Sequence, residues 1–265
     1  MRKIYQVILT LALVSIGISV YGQTDQVRFE HLSIEEGLSQ SSVMAILKDS
    51  RGFMWFGTQD GLNRYDGYEF KVYSSTNEQF TVSNNLITSL CEDNFGNIWI
   101  GTYNGLNRLN IKNDSVDRVL EIHGSRIKKI NQSYNDNEGN IYVGHEYGIA
   151  KIEFDNNKNP QFVSAQEMQN AFGEVRNKNI QAILKDKLGN LWLGSANDGL
   201  YQFNGKKSDR KSVLHFTRSN SKTRSLANNN VVSLCLDSVG YIWAGTDDGL
   251  TRINSRNLTT RHYLE

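Results

Sequence analysis

The stretch Asp93–Leu109, with the sequence DNFGNIWIGTYNGLNRL, decides the fold because five versions of it occur along the chain. Each version has a large aromatic residue at the position of Trp99, and these residues recur at intervals of 43 to 51 positions. They are Trp55, Trp99, Tyr142, Trp192 and Trp243. Repeats of this length, each centred on an aromatic strand, are typical of β-propeller blades. The sequence therefore predicts an all-β propeller with five four-stranded blades of about 44 to 51 residues.

An apolar strand and an Asp-x-x-Gly segment open each repeat. In the second repeat, the strand from Ile87 to Cys91 has mainly small or apolar residues on both faces. This pattern predicts an innermost strand that is covered on each side by a neighbouring blade. The segment after it predicts a hairpin turn, because Asp accepts backbone N–H groups and Gly tolerates a positive φ. The five turns begin at Asp49, Asp93, Asp136, Asp186 and Asp237.

The third and fourth strands of each repeat are less regular. One site in the third strand is basic in four copies, at Arg64, Arg108, Lys151 and Arg252. We expect these side chains to pack their aliphatic stems on the neighbouring blade and to hold their charges in solvent. One or two helical turns are expected at Ala165–Ala171. The outer strands are predicted at Phe70–Tyr73, Val116–Ile122, Gln161–Val163, Val213–Thr217 and Thr260–Leu264.

The first 22 residues differ in composition from the repeats. Arg2 and Lys3 precede an uncharged apolar run, Ile4–Val20, and Gly22 supplies a small residue before Gln23. This order predicts a signal peptide over residues 1–22 that is cleaved before Gln23, which leaves a partial propeller domain over residues 23–265. The alternative is an uncleaved membrane anchor, since the apolar run is just long enough to span a bilayer.

Charge and cysteine content narrow the class of partner and the compartment. The chain has 29 basic and 28 acidic residues without long blocks of either sign, which argues against nucleic acid as a partner. Cys91 and Cys235 stand at equivalent positions of different blades, too far apart for the roughly 7 Å that a disulfide allows. We expect both to be buried free thiols. An export signal without a disulfide pattern is compatible with a bacterial periplasm.

The order of outer strands predicts how the propeller closes. Val27–Leu32 matches the outer strand that precedes each later repeat, and Thr260–Leu264 already completes the fifth repeat. One outer strand is therefore left over. We expect the first strand to belong to a blade beyond Glu265, so that the five blades form an open arc of a larger ring.

The repeat Gly-x-Ile-Trp-Ile-Gly-Thr-x-x-Gly-Leu-x-Arg-Leu resembles the two-component regulator propeller repeat. Phe29–Leu32 with Gly37–Ser39 is similar to the start of that family's sensors, and the resemblance covers residues 27 to 265. The third copy departs from the pattern at Tyr142 and His145. In this family, common in Bacteroidetes, two seven-bladed propellers precede an immunoglobulin-like domain, a transmembrane helix, a histidine kinase, a receiver and a helix-turn-helix output.

The resemblance implies a function for this segment. It would be the periplasmic sensor part of a hybrid two-component histidine kinase of the inner membrane, sensing oligosaccharides to regulate polysaccharide utilisation genes. The full-length protein would act as a dimer. The kinase module would lie downstream of residue 265, and the segment would touch the membrane only through that missing part or through an uncleaved N-terminus. An alternative is a stand-alone exported propeller that acts as a protein-interaction scaffold.

The sequence contains no catalytic constellation, so we expect no enzyme activity, cofactor or metal site in this chain. A propeller lyase or glycosidase is disfavoured because no acid and base pair stands out. A ligand is expected on the link face, which carries the links into the inner strands and the loops between second and third strands. Amide, carboxylate and aromatic groups there suit sugars. The candidates are Asn85, Tyr103, Asn104, His145, Tyr147, Asp198, Asn229 and Asp248.

Overall fold

Antiparallel sheets that follow one another in chain order make up the fold. The structure is a computed structural model, and it describes residues 29–76, 81–204, 213–219 and 221–264. The predicted signal peptide and the first two residues of the predicted strand Val27–Leu32 lie outside the described residues. The five main sheets are the five predicted blades, which confirms the all-β propeller class.

Four strands of each blade pair in the order in which they occur in the chain, and blade 4 has a short fifth strand. Blade 1 contains β1 (Val43–Lys48), β2 (Met54–Thr58), β3 (Gly61–Tyr65) and β4 (Phe70–Tyr73), and blade 2 contains β5 (Ile87–Glu92), β6 (Ile98–Thr102), β7 (Gly105–Asn110) and β8 (Ser115–Val119). A separate hairpin of β9 (Glu121–Ile122) and β10 (Ser125–Arg126) precedes blade 3, which contains β11 (Ile130–Asn135), β12 (Ile141–His145), β13 (Gly148–Phe154) and β14 (Pro160–Phe162).

Helical turns separate blade 3 from the last two blades. They are helix α1 (Ala165–Phe172), at the predicted place, and a 3-10 turn at Gly173–Val175. Blade 4 contains β15 (Ile180–Lys185), β16 (Leu191–Ser195), β17 (Leu200–Phe203) and β18 (Val213–Arg218), with the short β19 (Ser225–Leu226) parallel to β18. Blade 5 contains β20 (Val231–Leu236), β21 (Tyr241–Thr246), β22 (Gly249–Asn254) and β23 (Thr260–Tyr263).

In the four blades that contain Trp, the Asp of the turn holds both the turn and the aromatic residue. Asp93 Oδ1 accepts the backbone N–H groups of Phe95 and Asn97 at 3.0 and 2.9 Å, which orients the carboxylate. Its other oxygen, Oδ2, accepts the indole N–H of Trp99 at 3.1 Å. The same indole bond links Asp49 to Trp55, Asp186 to Trp192 and Asp237 to Trp243. A buried indole N–H thus has a partner six residues before it, which removes the cost of burying an unpaired donor.

The basic residue of the third strand lies opposite the aromatic residue of its own blade. Arg108 pairs with Trp99 across β6 and β7, and its guanidinium carbon lies 5.8 Å from the centre of the indole ring. Its Nε is 3.6 Å from Asp93 Oδ2, and the side chain is only 14% exposed. The expectation that this charge lies in solvent is therefore wrong for Arg108. Direct cross-strand pairing favours a cation–π contact within the blade instead.

Four inter-blade cores hold the five blades together. In each, the aromatic residue of one blade is packed among apolar residues of the next, as Trp99 is among Ile130, Val143 and Ile152. The glycine two residues after the aromatic residue allows this approach, because a Cβ at Gly101 would lie 2.7 Å from Ile130 Cγ2. Equivalent contacts join Gly57 to Ile87, Gly144 to Ile180 and Gly194 to Val231.

The terminal blades each leave one face open. The inner strands of consecutive blades contact each other, β1 with β5, β5 with β11, β11 with β15 and β15 with β20, and no comparable contact joins β1 to β20 among the described strands. Met44 and Ile46 of β1 are more than half exposed. Cys91 is buried as expected, but Cys235 is exposed, which contradicts its predicted burial. The reason is that, among the described blades, none packs against the second face of β20. The inner strand is therefore buried on both faces only in the middle blades.

Two predicted strands differ from the structure by more than one residue at an end. The outer strand of blade 2 was expected over Val116–Ile122, but it ends at Val119, and the following residues turn back as the hairpin β9–β10. His123 and Gly124 have φ values of +53° and +74°, as a two-residue hairpin turn requires. The described part of Val27–Leu32, residues 29–32, has no strand, since a strand without a hydrogen-bonded partner is not stable.

Candidate ligand-binding site

A cleft of about 590 Å³ lies on the link face beside blade 3. Hairpin β9–β10 forms one wall, helix α1 and the 3-10 turn form the other, and β13 provides the floor. The polar lining includes His123, Arg126, His145, Gln169 and Arg176. Its size lies within the range of about 300–1,000 Å³ that is typical of small-molecule sites. We call it the blade 3 cleft.

Hydrogen bonds and packing within the protein hold both walls of the blade 3 cleft. The hairpin is fastened by His123, whose Nε2 donates to the carbonyl oxygen of Val163 at 2.6 Å. Helix α1 begins with a capping box, in which Ser164 accepts the backbone N–H of Glu167 and the Glu167 carboxylate accepts the Ser164 N–H. The helix buries Met168. Neither wall therefore depends on a ligand to form.

Apolar side chains support the base of the same cleft. Ile127, Ile149 and Val175 line it and are buried. Phe172, at the end of helix α1, makes edge-to-face contacts with Tyr142 and Phe203, with ring centres 6.3 and 5.0 Å apart. The helix is thus attached to the core between blades 3 and 4, and the cleft has a rigid base.

His145 occupies the position at which the other copies have Thr or Ser. In blade 2, Thr102 donates to the carbonyl oxygen of Gly105 and accepts the N–H of Asn104. His145 keeps only the second role, because its Nδ1 accepts the N–H of Tyr147 at 3.2 Å. Burial, together with nearby His123, lowers the pKa of His145 to about 4. The imidazole is therefore neutral near pH 7, with its proton on Nε2, and this N–H donates to no other group of the described chain.

The predicted ligand residues fall into two groups. His145 and Tyr147 line the blade 3 cleft, and the Tyr147 side chain is 52% exposed. Tyr103 is also exposed, on the loop of blade 2, with the Lys129 ammonium 4.8 Å from its ring centre. Asn104 lies beside it, with its backbone N–H bonded to Thr102 and its side-chain amide donating to the carbonyl oxygen of Ser83 at 3.5 Å. Neither Tyr103 nor Asn104 lines the blade 3 cleft.

The second group has its polar atoms in hydrogen bonds within the protein. The Asn85 amide donates to Asp60 Oδ1 at 2.8 Å, and its oxygen accepts the N–H of Ser75. The Asp198 carboxylate pairs with Lys178 at 2.8 Å. Asn229 Oδ1 accepts the N–H of Arg218, whose guanidinium pairs with Asp248 at 3.3 Å. These four side chains connect links to loops, and the structure does not bring them to the blade 3 cleft.

A second cleft of about 470 Å³ lies beside blade 5. It contains Arg218, Asp247, Asp248 and His262. Its cation and its carboxylates offset each other, because Arg218 pairs with Asp248 and Asn230 donates to Asp247 at 2.8 Å. The charged groups of this cleft are therefore paired within the protein, so the cleft is a weaker candidate for a ligand site than the blade 3 cleft.

Sequence reasoning did not select Arg126, Arg176 or Gln169 of the blade 3 cleft. The sequence features that mark this region are the departures of the third copy from the repeat pattern at Tyr142 and His145, and the helical insertion after the third copy. Within the described chain, no three His, Cys, Asp or Glu side chains are grouped as a possible metal site. Over the same residues, none of the helices has the length and apolar character needed to cross a bilayer.

Comparisons with known proteins match the repeats. A family model described as two component regulator propeller matches residues 37–60, 81–104, 174–197 and 225–248. These segments lie in the first, second, fourth and fifth copies. The divergent third copy, which borders the blade 3 cleft, is outside them.

Similar proteins include a kinase and an extracellular domain. The chain is 42% identical over 66 residues to Histidine kinase P4 from Formosa agariphila, an alignment that covers 25% of this chain and 5% of that protein. The extracellular domain of a proposed hybrid two component system from B. thetaiotaomicron has a TM-score of 0.70 and 25% identity, over 88% of this chain and 31% of that one. This chain therefore spans less than a third of either relative.

A more distant similarity concerns the fold alone. Virginiamycin B lyase from Staphylococcus aureus has a TM-score of 0.59 at 13% identity, over 84% of this chain and 70% of the lyase. Propeller blades thus occur in proteins of different activity, so the repeat motif and not the fold carries the assignment. Four of the five repeats therefore match the two component regulator propeller model, and the chain shares its blade architecture with the extracellular domain described above.

Proposed function

We propose that this chain is the exported sensor segment of a hybrid two-component histidine kinase and that its ligand is an oligosaccharide. The observation that carries the proposal is the blade 3 cleft, which stands on the link face of a propeller whose relatives include an extracellular domain and a histidine kinase. The segment would work in the periplasm, and the kinase module would be supplied by another part of the full-length protein.

The chemistry of the cleft supports a sugar ligand. The exposed ring of Tyr147 can stack on the C–H face of a pyranose, while Gln169 and the Nε2–H of His145 can bond hydroxyl groups. The apolar base and few convergent polar groups match the usual composition of a small-molecule site. Binding would bias the arrangement of two sensor chains in a dimer and so control genes for polysaccharide use.

Titration calorimetry of the exported chain against neutral and acidic oligosaccharides tests the proposal. We expect saturable binding of at least one glycan fragment, with loss of affinity when Tyr147 is replaced by Ala. The matched control is Tyr68→Ala, because Tyr68 is 94% exposed and lies outside the cleft. Absence of binding across the panel, together with a stable protein partner in periplasmic pull-downs, would instead support the scaffold alternative.

A further inference from the structure

The blade 3 cleft has an uneven charge. Among the described residues that line it, none is an Asp or Glu, whereas two are Arg and two are His. The arginines are Arg126, on hairpin β9–β10, and Arg176, just after the 3-10 turn. They reach the cleft from opposite walls, so the cleft presents positive charge on both sides. An arginine stays charged at every physiological pH.

Neither arginine is neutralised from within the protein. Over residues 29–76, 81–204, 213–219 and 221–264, no carboxylate forms an ion pair with Arg126 or Arg176. Exposed arginines elsewhere, such as Arg256, also have no ion pair among the described residues. The distinctive feature of Arg126 and Arg176 is that they line one cleft from opposite walls, in a lining without a carboxylate. A guanidinium in that position is suited to bidentate bonds with planar oxyanions.

The other groups of the cleft favour a ligand that is larger than a small inorganic anion. The cleft of about 590 Å³ has a buried apolar base that includes Ile149 and Met168, and Tyr147 presents half of its side chain at the rim. Gln166 and Gln169 on helix α1 offer amides. A bare anion would leave this surface unused, whereas a sugar ring that carries an acidic group would use both the guanidinium groups and the aromatic rim.

We infer that the blade 3 cleft binds an acidic sugar, with Arg126 and Arg176 as the groups that hold its carboxylate or sulfate. The inference rests on the proposed sensor function and specifies its ligand class. Tyr147 stacks on the ring, and the neutral imidazole of His145 donates its Nε2–H to a sugar oxygen. Since His145 is uncharged near pH 7, specificity for the anion comes from the two arginines.

Calorimetry with matched probes tests this inference on the exported chain. One pair is trigalacturonate and its methyl ester, which differ in charge at the carboxyl groups. The other pair is a sulfated galactose disaccharide and its desulfated form, which separates sulfate from carboxylate as the recognised group. We expect the acidic member of at least one pair to bind about tenfold more tightly than its neutral counterpart, and we expect added salt to weaken that binding.

Substitutions locate the binding. Arg126→Gln and Arg176→Gln should each weaken binding of the acidic probe by about tenfold and leave the neutral probe nearly unaffected. Arg256→Gln is the matched control, since Arg256 is an exposed arginine of blade 5 outside the cleft. All three variants should keep the unfolding temperature of the parent, because the side chains are exposed.

The possible outcomes separate the two proposals. Equal affinity for acidic and neutral probes, or acidic binding that both cleft substitutions leave unchanged, would overturn the acidic-sugar inference and leave a sugar sensor standing. If neutral glycans bind and neither acidic probe does, the acidic-sugar inference is likewise overturned and the sugar-sensor proposal still stands. Absence of any glycan binding would overturn the inference and the sensor proposal together.

Discussion

Blades 4 and 5 carry the same motif but have different surroundings. Trp192 is fully buried against Val231 and Ile242 of blade 5, whereas Trp243 is only half-buried because none of the described blades packs over it. Both indoles donate to the Asp of their own turn, at 2.8 and 3.0 Å. The motif therefore builds the blade, but the next blade provides the hydrophobic core. Stability should consequently depend on which blade is altered.

The largest difference in stability between matched variants of blades 4 and 5 is expected for the aromatic residues. Trp192→Ala should lower the free energy of unfolding by about 3–5 kcal/mol, because it leaves a cavity in a complete inter-blade core. Trp243→Ala should cost clearly less, since part of that ring is already in contact with water. Urea unfolding of both variants measures the difference. Equal losses would show that burial by the next blade contributes little to these sites.

The stability of the protein should also depend on the protonation of His145, a partly buried side chain of blade 3. Its pKa is lowered to about 4, whereas the unfolded chain has the ordinary value of about 6.5. Below pH 6.5 the unfolded state therefore binds more protons than the folded state. Stability should fall between pH 6.5 and pH 4 by up to about 3 kcal/mol.

The replacement His145→Asn provides the control for this pH effect. Asn can accept the Tyr147 N–H but does not titrate, so the variant should lose most of the dependence of stability on pH within this window. Urea unfolding at several pH values gives both profiles, and NMR titration gives the pKa directly. A His145 pKa near 6.5 in the folded protein would contradict the description of this side chain.

Replacing the glycines of the aromatic strands should give a smaller difference in stability between blades 4 and 5. Gly194→Ala places a Cβ 2.6 Å from Val231 Cγ1, so the contact between blades 4 and 5 must open. We expect a loss of about 1–3 kcal/mol. At Gly245 the closest atom is Ser233 Oγ, at 2.3 Å, which can rotate away. Gly245→Ala should therefore cost less than Gly194→Ala when the two are compared by thermal unfolding.

The smallest difference is expected for the cysteines. Burial raises the pKa of the Cys91 thiol, with a further contribution from Asp93. Cys91→Ser should cost about 1–2 kcal/mol, since it buries a hydroxyl group in an apolar core, and Cys235→Ser should change stability by less than about 0.5 kcal/mol. A thiol reagent should modify Cys235 in the folded protein and Cys91 only after unfolding. Rapid modification of both thiols would show that the core between blades 2 and 3 opens readily.

The regular parts of the fold could be predicted from local pattern. The Asp turns and the aromatic strands follow from residues that are close in the chain, and the outer strand Phe70–Tyr73 is observed as predicted. Errors appeared where a distant neighbour decides the outcome. Cys235 has the same local sequence context as Cys91 but lacks a covering blade, and the sequence after Val119 turns back into a hairpin that packs near blade 3.

The candidate site was only partly predictable for the same reason. His145 and Tyr147 could be nominated because the loop after the second strand has a known place in a blade. Arg126 and Arg176 are 50 positions apart in the chain, and no periodicity brings them together. Their common cleft arises from the way hairpin β9–β10 and helix α1 flank β13.

The sequence by itself determined the five blades, their strand order and the match to a known repeat, because short-range signals of turn and strand recur in every copy. Tertiary structure alone decided which faces are buried, where Arg108 places its charge and which polar side chains share a cleft. The physical reason is that turns and strands depend on neighbours in the chain, whereas burial and charge environment depend on neighbours in space.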